Sequence, residues 1–182
     1  MARANPQGKT GKQPDAIALL KADHRQVEEW FEQFEKARDV QRKLKLATQI
    51  CSALKVHTTI EEEVFYPAFI EATEDRDLHH EAIVEHAGAK KLIAEIEDMD
   101  ADDDYYDAKV KVLSEMIKHH VKEEEQPGGM FAEAKKSEMD LEALGEQMAS
   151  RKAELEGDEG MPGSMPPPGA RQRSIRGRAR SA

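Results

Sequence analysis

Between Asp15 and about Glu125, apolar residues recur every three or four positions, and nowhere does the chain alternate with the period of two that a half-buried strand requires. The whole stretch predicts helix. Asp15, following Pro14, is placed to cap a first helix that runs to about Ala37. A second extends from about Val40 to Glu71, with Pro67 near its end imposing a kink or a stop. A third covers about Asp77 to Met99. The acidic run Asp100, Asp102, Asp103, Asp104 makes a turn and opens a fourth, which ends before Pro127-Gly128-Gly129. Long helices joined by short links predict an all-α fold, an antiparallel up-down four-helix bundle. Residues 1–14 read as a flexible leader, 15–136 as the bundle, 137–156 as an additional C-terminal helix packed on its outside, and 157–182 as a disordered Pro/Gly/Arg-rich tail.

The apolar seams carry an anomaly. In the first helix the seam is Ile17, Leu20, His24, Val27, Phe31, Phe34; in the second it is Leu46, Ile50, Ala53, His57, Ile60, Val64. The third gives Ile83, His86, Ile93, Ile96, with Ala89 or Lys90 at the middle step, and the fourth gives Tyr106, Val110, Leu113, Ile117, His120, Glu124. Each helix thus turns one histidine toward the core. At a rise of about 1.5 Å per residue the four fall within about one helical turn of a common depth. Four buried imidazoles at one level need partners, because an unpaired polar group in a core costs kilocalories. Glu61 and Glu124 each follow a seam histidine by four residues and share its face, so two carboxylates join the four histidines. Imidazole and carboxylate together suit iron, manganese or zinc, and two carboxylates that bridge make a binuclear centre natural.

Other chemistries drop out. Ferritin-like di-iron bundles use Glu-x-x-His, but Lys21, Leu54, Ile83 and Ile117 stand three residues before the seam histidines. There is no His-Glu-x-x-His, no glycine-rich phosphate loop and no zinc-ribbon cysteine pattern. His79, His80 and His119 are read as outside the site, and Cys51 as a small buried filler.

Composition narrows the setting. A single cysteine fits a reducing compartment, no run of 18 apolar residues is present, and the first residues lack the apolar core of a secretory signal, so a cytoplasmic protein without a membrane span is expected. Arg3, Lys9 and Lys12 make the first twelve residues +3 and five arginines make the last twelve +5, which leaves −18 of the total −10 on residues 13–170. So acidic a body repels nucleic acid; only the tail attracts phosphate or an acidic partner.

ADHRQVEEWF around His24, VHTTIEEEVFYPAF around His57, VEHAGAKKLI around His86 and KHHVKEEE around His120 resemble, in this order, the hemerythrin-like family of HHE cation-binding domains. The resemblance covers about Asp15 to Phe131. It implies two iron ions in a non-haem di-iron centre with bridging carboxylates, held by His24, His57, Glu61, His86, His120 and Glu124. Oxygen-carrying hemerythrins take two histidines, spaced His-x-x-x-His, from the third helix. Here Ala82 and Lys90 occupy the positions four before and four after His86, and Pro-Gly-Gly replaces the usual Phe-Pro that ends the fourth helix. The missing fifth histidine leaves an iron less saturated and weighs against simple reversible oxygen carriage. The expected role is binding or sensing of oxygen, nitric oxide or iron, with a di-iron enzyme acting on peroxide or nitric oxide, or iron sequestration, as alternatives. An apolar lining from Phe31, Ile60, Val64, Ile93, Leu113 and Ile117 is expected to favour small uncharged ligands.

Overall fold

The structure, a computed structural model, describes residues 13–73 and 75–159. Its elements are α1 (Ala16–Lys36), α2 (Val40–Ile60), a π-helical turn (Glu61–Phe65), α3 (Tyr66–Thr73), α4 (Arg76–Glu97), α5 (Tyr106–Glu125), α6 (Met130–Lys136) and α7 (Leu141–Glu159). No strand occurs among the described residues. No described helix is long and apolar enough to cross a membrane.

Caps set the helix starts. Asp15 accepts a hydrogen bond from the Ala18 N–H at 2.8 Å, as its position predicted, and Asp39 and Asp75 do the same for α2 and α4. α5 begins without a side-chain cap; Asp103 instead accepts from the Tyr105 N–H within the acidic turn. α1 packs on α2 and α4 on α5, and contacts of α1 with α5 and of α2 with α4 close a ring of four. α7 lies against α1, α2 and the π turn, as expected of an outer helix, but it runs to Glu159, so residues 157–159 are helical rather than part of a tail. The leader up to residue 12 and the tail from residue 160 lie outside the described residues.

Pro67 does not stop the helix. A proline inside a regular α-helix lacks the N–H and crowds the carbonyl four residues earlier. The preceding turn is widened, with the Tyr66 N–H donating to the Glu61 carbonyl five residues back, and helix resumes to Thr73. The extra residue shifts the seam. Val64 is only half-buried, while Phe65, Tyr66 and Phe69 are wholly buried. Two smaller corrections follow from the same burial: Leu54 rather than Ala53 faces inward, and Ala82 and Ala89 line the core while Ile83 is 36% exposed.

The apolar interior is in two parts. One half gathers Val27, Phe34, Leu54, Ile93 and Leu113; the other gathers Leu20, Ile60, Phe65, Met130 and Met148. Between them along α1, α2 and α4 stands a buried histidine: His24 between Leu20 and Val27, His57 between Leu54 and Ile60, and His86 between Ala82 and Ala89. On α5 His120 follows Ile117 of the first block, with Met130 of the second beyond it in the chain. The core is thus two apolar blocks separated by a polar layer.

Candidate metal centre

All six predicted ligands are brought together, and none is more than 5% exposed. His24 and His57 bring their Nε2 atoms to 3.2 Å of each other, and His86 and His120 bring theirs to 3.3 Å. The two carboxylates link these pairs. Glu61 Oε2 lies 3.2 Å from His57 Nε2 and 3.3 Å from His86 Nε2. Glu124 Oε2 lies 3.4 Å from His24 Nε2 and 3.6 Å from His120 Nε2. Each half of the cluster therefore offers two imidazoles and a share of two carboxylates.

Behind the imidazoles runs a closed ring of acids. Glu125 of α5 backs His24 of α1, with Nδ1 donating at 2.9 Å. Glu62 of the π turn backs His86 of α4 at 2.9 Å, and Glu85 of α4 backs His120 of α5 at 2.8 Å. Asp23 of α1 faces His57 Nδ1 of α2 at 3.6 Å, the loosest link. Each helix thus holds the histidine of another. Three of the acids are themselves held by cations: Glu125 by Lys21 and Arg25, Asp23 by Lys152 of α7, and Glu62 by Lys90. The Lys90 partnership was legible in its spacing from His86.

This ring fixes the chemistry of the inner face. Where Nδ1–H donates outward, Nε2 presents a bare lone pair inward. Lone pairs of imidazole and carboxylate then converge within hydrogen-bonding distance, and Glu61 Oε1 and Glu124 Oε2 are buried without a hydrogen-bond donor. Bound metal would satisfy these atoms. Protons are the alternative. Burial and the neighbouring charge of His57 push His24 down to about 4. Against burial, Glu61, Asp23 and Glu124 lift His57 to about 10. Burial and the charge of Glu61 raise Glu124 to about 8, whereas His57 and His86, against burial, hold Glu61 below its usual range. Outside the cage, bonds from His24, Lys21 and Arg25 overcome burial and hold Glu125 at about 2.

Residues 15–127 match the hemerythrin HHE cation-binding domain. The chain belongs to that family. Among solved structures it resembles a hemerythrin HHE cation-binding domain-containing protein of Mycobacterium kansasii, with a TM-score of 0.66, 23% sequence identity, and coverage of 80% of this chain and 89% of the other. At that identity the likeness bears on the fold alone. No curated protein matches the chain.

Two residues of this hemerythrin-like centre were not read from the sequence. Tyr66 is fully buried, with Oη 3.2 Å from His86 Nε2, 3.4 Å from Glu124 Oε1 and 3.5 Å from Glu61 Oε2. It stands nine residues after His57, about 180° away around a regular α-helix. Only the π turn brings it round. Burial and the charges of Glu61 and Glu124 hold its phenol protonated, well above the usual range. Phe131 stacks on His24 with centroids 5.8 Å apart and planes 10° from parallel. The Pro-Gly-Gly turn delivers it: Gly128 takes φ +85°, and a Cβ on Gly129 would stand 2.0 Å from the Glu123 carbonyl oxygen. His79, excluded from the ligand set, packs edge-on against Tyr66 at 5.7 Å, and His119 is 60% exposed. Cys51 is buried, and burial raises its thiol to about 12, which leaves it unreactive.

Proposed function

We propose that the chain is a cytoplasmic non-haem di-iron protein that binds or senses a small uncharged ligand such as oxygen or nitric oxide. The observation that carries this reading is the inward convergence of four imidazole nitrogens and two shared carboxylates, with the outer nitrogens of His24, His86 and His120 hydrogen-bonded to acids. His24 and His57 would hold one ion and His86 and His120 the other, with Glu61 and Glu124 common to both. Bound iron would supply redox change and open coordination positions, since six side chains do not saturate two ions. The residues do the rest. Val27, Leu54, Ile117 and Val121, with Asp23 and Thr58, line a cavity of about 10 Å³ against all four imidazoles. Of the lining expected from the sequence, Ile117 alone reaches this cavity, because the others pack one turn or more away.

Metal analysis of the iron-loaded protein should return about two ions per chain. Mixing the reduced protein with oxygen should leave a stable oxidised state that argon cycling does not reverse. Full recovery of the reduced spectrum over repeated cycles would identify a reversible carrier. Loading below one ion per chain would overturn the reading altogether.

Turnover of peroxide or nitric oxide is a second reading, favoured by Tyr66, which holds a proton at Oη between both carboxylates. Steady-state consumption of either substrate, lost in Tyr66→Phe at unchanged iron content, would establish it.

A further inference from the structure

Of the four acids behind the imidazoles, Glu85 is set apart. Asp23, Glu62 and Glu125 each carry a lysine or arginine. Glu85 meets none among the described residues; its Oε2 accepts from His120, and its Oε1 lies 3.4 Å from His119 Nε2. His119 Nε2 in turn lies 3.2 Å from Glu123 Oε1, so Glu85, His119 and Glu123 form a second group of closely spaced ligand atoms beside the buried one.

These residues are not an isolated surface cluster. Glu85 and Glu123 border a cleft of about 20 Å³ between α4 and α5 that Met130 also lines. Its wall is graded: Glu81 is exposed, Glu85 and Glu123 are half-buried, and Glu124 and His120 are buried. The last two are ligands of the centre, and Glu124 Oε2 has no hydrogen-bond donor. From solvent to core the cleft offers only carboxylate and imidazole as charged or polar groups, and no fixed positive charge bars it. The cavity lined by Val27, Leu54, Ile117 and Val121 is more apolar, with Asp23 its one carboxylate.

We propose that this acidic cleft is the port by which divalent cations reach the buried centre, resting in transit on Glu85, His119 and Glu123 before transfer to Glu124 and His120. The proposal rests on the reading of the buried cluster as a metal centre. It divides the traffic of the molecule, with cations entering between α4 and α5 and neutral ligands through the apolar side.

The test is the rate at which metal-free, full-length protein takes up Co²⁺, followed by stopped-flow absorbance of its visible bands. The double variant Glu81→Gln/Glu123→Gln removes charge from the cleft without touching a buried ligand. It should load about ten-fold more slowly at low ionic strength, the scale expected when a focusing field is removed. Its final cobalt content and spectrum should equal those of the wild type. Glu29→Gln/Glu32→Gln, which removes the same charge from exposed α1, should load at the wild-type rate. His119→Ala should slow uptake with the same endpoint. Equal rates in the cleft and α1 variants would overturn the port. So would a changed endpoint at unchanged rate, which would make these residues part of the centre itself. Failure of the wild type to take up cobalt would overturn the underlying metal-centre reading instead.

Discussion

With burial and the charge of Glu61 holding a proton on Glu124 up to about 8, and with Glu61 and Asp23 outweighing burial to hold one on His57 up to about 10, a cation entering at pH 7 must expel both. Loading in weak buffer should release protons to a pH indicator. Apparent affinity should rise with pH and flatten as His57 deprotonates near 10, because each proton shed beforehand no longer competes. Uptake with no proton release would contradict the ligand set. His120→Ala should abolish two-ion binding, measured as metal per chain, while His119→Ala should retain it, since His119 points about 100° off the seam. The four buried histidines were legible in the sequence because a histidine on an apolar stripe is out of place, and Glu61 and Glu124 because each follows one by four residues. Tyr66 was not legible from that pattern, since its side depends on a π turn that α-periodicity does not contain. The acids at 23, 62, 85 and 125 left a faint trace, each beside a ligand in the chain, but the histidine each one serves lies on a different helix.

Among the elements, the turn after α5 links backbone conformation to the centre. Gly129 has no room for a Cβ against the carbonyl oxygens of Glu123 and Glu124, the latter belonging to a ligand residue. Gly129→Ala should therefore cost about 1–3 kcal/mol in urea unfolding. It should also perturb the visible spectrum of the loaded protein, because displacing α6 moves Phe131 off His24. A destabilised variant with an unaltered spectrum would show that Phe131 does not shape the site. Helix starts at Asp15 and Asp39 were readable because a cap is a local signal. The persistence of helix through Pro67 was not, since the tertiary burial of Phe65, Tyr66 and Phe69 decides it.

For the whole molecule, the polar layer between two apolar blocks should make stability depend on metal. Removing the ions leaves buried lone pairs facing each other and withdraws a ligand bound only by the folded state. At free metal about 1,000 times Kd the linkage is about 4 kcal/mol. For a chain of this size that corresponds to roughly 10 °C in melting temperature. Calorimetry of loaded and chelator-treated protein checks it; coincident melting would mean that the metal sits elsewhere. The ring of acids carries one more consequence, which concerns the order of synthesis. His24 emerges from the ribosome early, but the acid that orients it, Glu125, follows 101 residues later in the sequence. No nascent or prematurely ended chain short of that point can close the ring, so its completion waits for α5 to be made and brought home.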